Sequence, residues 1–408
     1  MKTYDWIVVG GGITGAALSY ELATKGFSVL LLEQDATLQG ATRYSYGGLA
    51  YWSGTSELTR QLCQEGIERH RTLSEELDTD TQFCELDLLL FIAPEDNPEK
   101  LAADYARFAI APRLLSVDEA CELEPLLNRN AICASQRSTE RSRRSQRNAL
   151  AGALTIRHGH IHPEKTTQGY IEAFRRAGGD LQIDRVVELL RRGDRIEGVK
   201  TPNQTYHAAN TVVCAGGLSR ALLKAAGIPV RLYFSHAEMI ETPPVDLQMR
   251  TLVMPANTKR FALEAKASNI DLDPLWDEPG HEPVAPILDA GVTQFRDGSL
   301  RMGQLSRVLT DPYAKVDSAA SEAAIRTQVG KILPAFEKLP GTWHHCLVAF
   351  SSDRLSVVGP LSNLEGAYVF SGFSTPLVFV PPLAKRFANW ASGEDDPIIH
   401  QLSFSDRG

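Results

Sequence analysis

No apolar run in these 408 residues approaches the roughly 20 positions that a membrane-spanning helix needs. The first strand pattern begins almost at Met1, with no basic stretch and apolar core of a secretory leader ahead of it, so a cytoplasmic location is expected. Cysteine is scarce. The six thiols, Cys63, Cys84, Cys121, Cys133, Cys214 and Cys346, show neither paired metal spacing nor a redox C-x-x-C, and read as reduced, mostly buried side chains. Basic charge is short as well: a net charge of −8 gives no overall pull towards nucleic acid or an anionic membrane, although peripheral membrane contact stays open.

What is present is ordinary for a folded chain, with 43% hydrophobic and 23% charged residues, and the length allows a large core and two domains. The stretch that organises the rest is Asp5 to Glu33. Trp6 to Val9 is a short β-branched run, Gly10, Gly12 and Gly15 follow in G-x-G-x-x-G spacing, and an apolar helical pattern runs through Ile13, Ala16, Ala17 and Leu22 to Gly26. Ser28 to Leu32 is the next strand, which makes a β-α-β unit. In such a unit the first glycine makes the tight turn, the second lets a pyrophosphate approach the backbone, and the third lets the helix lie on the strands. The unpaired N–H groups of the first helical turn attract the phosphates. Glu33 stands where an acid accepts from both ribose hydroxyls and would repel a 2′-phosphate, which disfavours NADP.

Beyond it, Gln39 to Leu49 is polar and glycine-rich, a loop able to pass close to a flat ring system or simply a surface loop. With the Gly10 to Gly15 turn and Glu33, the Thr42 to Leu49 segment resembles the D-amino-acid oxidase-like (DAO) superfamily of FAD-dependent oxidoreductases, which includes glycine oxidase, sarcosine oxidase and D-amino-acid dehydrogenase. The resemblance implies an α/β plus α+β fold: a discontinuous Rossmann-like FAD-binding domain (1–80, 148–222 and 335–408) with an inserted mixed-sheet substrate domain (81–147 and 223–334). It implies FAD contacts at Gly10, Gly12, Ile13, Thr14, Gly15, Glu33, Gln34, Thr42, Ser45, Gly47, Gly48 and Leu49. It adds Val186 for the adenine, Ala215 and Gly216 after the Thr211 to Cys214 strand, and the turn Gly372, Phe373, Ser374, Thr375 and Pro376.

Along the chain, helices are expected at Ser56 to Leu77, after the Ser116/Glu119 capping box until Pro125, at Thr166 to Ala177, at Ala319 to Leu333, and from Pro376 with Ser374 or Thr375 as cap. Strands are expected at Leu86 to Ile92, Leu181 to Leu190, Arg195 to Val199, Ile228 to Thr242 and Phe261 to Ala265, with a hairpin turn at Asp297-Gly298. Asp271 to Pro286 reads as an acidic, proline-rich connection. Arg129 to Arg147 holds six arginines and one glutamate, the pattern of a solvated insertion, an anion-binding lid or an acidic-partner surface. His158, His160 and His162 alternate and would share one face of a strand, but no carboxylate or cysteine accompanies them at ligand spacing, so no metal is expected.

The chain carries one dinucleotide motif and no second one mid-chain, so electrons should come from a small-molecule substrate rather than NAD(P)H, and pass to O2 or a carrier. The resembling enzymes remove a hydride from a C–H beside an amine nitrogen or alcohol oxygen; the family's main population favours an amine or amino acid. A 2-hydroxy acid or glycerol-3-phosphate type dehydrogenase, and a non-catalytic FAD-binding assembly factor, are the alternatives. The customary carboxylate partners of glycine oxidase-like and sarcosine oxidase-like members are replaced by Val348 to Phe350 and Leu377 to Phe379. Tyr233, His236, Arg260, Arg301 and Arg354 are the substrate candidates in their stead, each of which also reads as structural. Cys346 stands at the spacing from Asp353 at which sarcosine oxidase-like members attach FAD covalently, and is the candidate for such a link. No catalytic base is assigned.

Overall fold

The computed structural model of the chain describes residues 3–132 and 151–403. Most of the Arg129 to Arg147 stretch, and Cys133, lie outside these residues. The fold is of mixed α/β type, and its strands fall into two sheets.

In the first sheet Thr3–Val9 lies between Val29–Glu33 and Thr205–Val213, all parallel, with Val8 opposite Leu31 on one side and Val212 on the other. Ala367–Ser371, Val357–Pro360 and Asp180–Ile183 complete the order. The central strands are apolar on both faces because both are covered. Trp6, Val8, Val29 and Leu31 pack under the helices Ile13–Thr24, Glu57–Glu76, Pro163–Arg176 and Pro376–Ala391. Ile7, Val9, Leu30 and Leu32 meet the ribbon Glu188–Arg192/Arg195–Lys200 and Leu223.

The second sheet runs Thr342–Ser351, Leu232–Glu241, Leu300–Val308, Val284–Gln294, Thr251–Pro255, Cys84–Phe91, Ala151–His160 and Gly48–Leu49, with Arg113–Ser116 on the Ala151–His160 strand. The helix Ser318–Ile332 covers one face through Ile325 and Val329. Leu88, Leu90, Leu154 and Leu252 lie on the opposite face. Three strands from segments expected with the dinucleotide unit, Gly48–Leu49, Ala151–His160 and Thr342–Ser351, hydrogen-bond into this second sheet.

Three local expectations are corrected. Phe261 to Ala265 is part of a helix, Arg260–Ala267, whose buried residues Leu263, Glu264 and Ala267 recur at helical rather than alternating spacing. Its first N–H groups, on Lys259 and Arg260, donate to the Asp289 carboxylate at 3.0 Å each, a cap supplied from a distant strand. Leu181 to Leu190 is two strands, Asp180–Ile183 paired with Val29–Glu33 and Glu188–Arg192 paired with Arg195–Lys200. Thr375 holds the cap position of the Pro376–Ala391 helix without a side-chain bond, and Ser374 Oγ instead donates to the Arg354 carbonyl at 3.0 Å.

Candidate functional site

The ends of Thr3–Val9, Val29–Glu33 and Thr205–Val213 open onto one cavity of about 1540 Å³ that reaches across to the second sheet. Single small-molecule sites hold roughly 300–1,000 Å³, so this one has room for a dinucleotide and a second molecule.

At the first-sheet end the glycines leave a cradle. Gly10 has φ +107, and a Cβ there would stand 2.7 Å from the Cys214 carbonyl oxygen; one on Gly15 would stand 1.8 Å from the Gly10 oxygen. Gly12 caps the first helix without a side chain, and only Thr42 Oγ1, at 3.2 Å, faces its missing Cβ. The donor set suits an anion and a diol: backbone amides at a helix N-terminus, and a carboxylate held at the next strand end. Glu33 accepts from the Gly11 N–H at 2.5 Å through Oε2 and from the Asp35 N–H at 3.0 Å through Oε1.

Gly10, Gly12, Ile13 and Thr14 line the cavity at this turn, with Glu33 and Gln34 after the second strand. Val186 and the pair Ala215 and Gly216 line it from the flanking segments, and Gly372 to Pro376 from the turn that opens the helix Pro376–Ala391. Thr42, Ser45 and Gly48 line it from the loop, which is fastened at several places. The Ile13 N–H donates to Thr42 Oγ1 at 3.1 Å. Arg301 donates to the Ser45 carbonyl, while Glu241 receives Arg43 bidentately at 2.8 and 2.8 Å and Arg301 at 3.3 and 3.2 Å. Burial pushes the Glu241 carboxyl up, yet the Arg43 hydrogen bonds and the Arg301 charge hold it below the usual carboxylate value.

Gly15, Gly47 and Leu49 stand behind the wall. Gly15 packs on Gly10, Gly47 presses on the Ile161 carbonyl, and Leu49 is core. Three substrate candidates also lie off the cavity. Tyr233 donates to Asp273 at 2.5 Å and packs on Trp276 and Phe350. His236 follows the pleat to the face opposite Ala237, where it is buried against His345 with ring centroids 4.4 Å apart. Arg301 is 2% exposed and spent on Glu241 and Ser45.

Arg260 and Arg354 do reach the cavity. Their guanidinium carbons lie 5.0 and 4.0 Å over the Phe261 ring. Arg260 also donates to the Ser374 carbonyl at 3.4 Å, and its Nε lies 3.5 Å from Glu264. Burial pulls the Arg354 guanidinium below its ordinary value, with Glu264 opposing and Arg260 and Arg107 adding to the fall. Cys346 is on the wall too, within electrostatic reach of Tyr44 and Tyr46, and burial pushes its thiol up to about 12.

The alternating histidines serve separate bonds. Trp52 Nε1 donates to His158 Nδ1 at 3.0 Å, His160 Nε2 lies 2.9 Å from the Tyr46 carbonyl, and His162, past the strand end, caps the next helix. Because an indole can only donate, His158 carries its proton on Nε2, and burial, pushing it down to about 3, keeps it neutral. His158, Trp52, Tyr105 and Phe108 line the cavity and were not singled out as site residues; single aromatic residues on separate segments carry no spacing signal. Among the described residues the Tyr46 hydroxyl, buried on the wall, has no partner.

The family described as FAD dependent oxidoreductase (DAO) matches residues 5–390. The 4-methylaminobutanoate oxidase (formaldehyde-forming) of Paenarthrobacter nicotinovorans is 23% identical over 94% of this chain, which spans only 43% of that protein's length. The uncharacterized oxidoreductase YurR of Bacillus subtilis (strain 168) is 24% identical, with 97% of this chain and 96% of that one covered. Among solved structures, glycine oxidase from Geobacillus kaustophilus superposes with a TM-score of 0.78 at 20% identity over 99% of this chain and 98% of that one, a likeness of fold.

Proposed function

The chain belongs to the DAO family of FAD-dependent oxidoreductases, and from that premise we propose that it removes a hydride from the C–H beside the nitrogen of an amine or amino acid. The observation that carries the reading is the continuous cavity, which joins the glycine cradle to Arg260 and Arg354 past the Gly372 to Pro376 turn. The related 4-methylaminobutanoate oxidase, whose named substrate is an amine with a carboxylate, supports it.

Gly12, Thr14 and Glu33 would hold the pyrophosphate and ribose, Val186 the adenine, and Thr42, Ser45, Gly48 and the Gly372 to Pro376 turn the ring system. Bound FAD supplies the redox chemistry. The Pro376 helix N-terminus favours negative charge at the turn, Arg354 and Arg260 orient a substrate carboxylate, and the surrounding apolar wall excludes water. We assign 1–80, 148–222 and 335–408 to the cofactor domain and 81–147 and 223–334 to the substrate domain, with Gly48–Leu49, Ala151–His160 and Thr342–Ser351, which pair in the second sheet, counted with the latter. Action in the cytoplasm, with O2 or a carrier as electron acceptor, completes the proposal.

The test is anaerobic mixing of the FAD-loaded protein with amines and amino acids, then with 2-hydroxy acids and glycerol 3-phosphate. Bleaching of the flavin by the first group alone is expected. Bleaching by the second group alone would replace the amine reading with the alcohol one. Readmitting O2 distinguishes an oxidase from a dehydrogenase, and acid precipitation reads Cys346: FAD left in the pellet means a covalent link.

A further inference from the structure

We propose that the second-sheet end of the cavity is a chamber for a large uncharged group, so that the substrate is an amine or amino acid bearing an aromatic or bulky aliphatic substituent. The inference rests on the C–N oxidation reading above and narrows its substrate class. Away from the glycine cradle and the Gly372 to Pro376 turn, the cavity lining includes Trp52, Leu88, Leu90, Tyr105, Phe108 and Met254.

These residues come from separate elements but converge for simple reasons. Leu88 and Leu90 alternate onto one face of their strand, and Met254 lies opposite Leu90 on the parallel neighbour. Tyr105 ends the helix Pro98–Tyr105, and the turn that follows, with the Phe108 N–H donating to the Tyr105 carbonyl at 3.1 Å, brings Phe108 beside it. The three rings pack on one another: Trp52 lies 6.0 Å from Tyr105 and 5.5 Å from Phe108, and Tyr105 lies 5.2 Å from Phe108.

Their polar handles are already spent. The Trp52 N–H goes to His158, and the Tyr105 hydroxyl donates to the Ala256 carbonyl at 2.9 Å. What they turn to the cavity is hydrocarbon. Asp104 and Arg107 are exposed at the rim, and the buried Asp289 carboxylate that also lines the cavity already receives the Lys259 and Arg260 N–H groups, so a charged substituent against the rings would lose its hydration with little to replace it. The rings pack on one another in a wall completed by leucine and methionine, with a continuous hydrophobic cluster behind them. The wall therefore selects by apolar area and shape.

Ligand binding tests this without turnover. The FAD-loaded protein is titrated with acetate, phenylacetate and trimethylammonioacetate, read by the flavin absorption shift and by calorimetry at several temperatures. Phenylacetate should bind about tenfold tighter than acetate or better, from the area of one buried ring, with a negative heat-capacity change. Phe108→Ala, which removes a ring packed on Trp52 and Tyr105, should shrink that preference by more than it changes the acetate Kd, and Phe108→Leu, which keeps most of the apolar area, should retain it. Equal binding of the two acids, or tightest binding of the trimethylammonium acid, overturns the chamber. If phenylacetate binds as expected but no amine bleaches the flavin, the C–N reading fails and the chamber stands. If amines of every size react with equal kcat/KM and the acids bind alike, the chamber fails and the C–N reading stands.

Discussion

Gly12 and Gly15 lie three positions apart in one motif, yet a methyl group would meet different things at each. At Gly15 it would fall 1.8 Å from a backbone oxygen, which cannot swing away. At Gly12 it would meet only the Thr42 hydroxyl at 3.2 Å, and φ is −66, ordinary for any residue. Gly15→Ala should therefore destabilise the fold by about 1–3 kcal/mol, the usual cost of overpacking, and weaken FAD as a consequence. Gly12→Ala should leave the urea midpoint within error of wild type and still raise the FAD Kd at least tenfold or so, because its methyl stands where the pyrophosphate would approach. Equal FAD affinity in Gly12→Ala and wild type would remove the cofactor from this turn. The arginines show what a sequence leaves undecided at this scale. Arg301 and Arg354 look alike in one dimension; only the position of Glu241, sixty residues from Arg301, makes the first a structural ion.

Between elements, the decisive contact is the three-way ion cluster that ties the Thr42 to Tyr46 loop to the strands Leu232–Glu241 and Leu300–Val308. Arg43 is partly exposed and can be rehydrated if its partner is lost, but Arg301 cannot. Glu241→Gln should consequently cost about 3 kcal/mol in urea unfolding, since it strands a buried guanidinium, and should loosen FAD by releasing Ser45. A cost under about 0.5 kcal/mol would mean the cluster behaves as a surface pair. The same scale explains which elements could be read in advance. The glycine-turn unit, the capping box at Ser116 and the Asp297-Gly298 hairpin carry their signals locally, and each formed. The helix Arg260–Ala267 did not read as a helix because its cap, Asp289, comes from another strand, and because eight residues hold too few turns to display a period. The apolar chamber was illegible for a related reason: Trp52, Leu88, Tyr105 and Met254 share a wall only after the second sheet has formed.

Across the whole molecule, the helix Pro376–Ala391 is tied to the helix Glu57–Glu76 through a buried histidine whose charge state depends on pH. Pro381 has no N–H for the Leu377 carbonyl one turn earlier, and His70 Nε2 from the helix Glu57–Glu76 fills the vacancy at 2.6 Å. To donate there His70 need only be neutral, and burial, opposed by the Leu377 bond and reinforced by the Arg69 charge, pushes it down to about 4 from an ordinary 6.5. The unfolded chain therefore binds a proton at His70 in a pH range where the folded chain does not. Stability from this group is complete above about pH 6.5 and is lost as pH falls towards about 4, at most about 1.4 kcal/mol per pH unit and roughly 3 kcal/mol in all. Glu21, Glu264 and Asp289, which burial holds above their ordinary values, act with the opposite sign, so the wild-type profile alone does not isolate the histidine. The difference between wild type and His70→Gln does. The variant should be less stable at pH 7.5, where it has disturbed a buried contact, and its curve of unfolding free energy against pH should converge on the wild-type curve between about pH 6.5 and 4 with a relative slope near one proton. Parallel curves across that window would show that His70 titrates alike in both states, and that its burial between the helices Glu57–Glu76 and Pro376–Ala391 adds no pH dependence to stability.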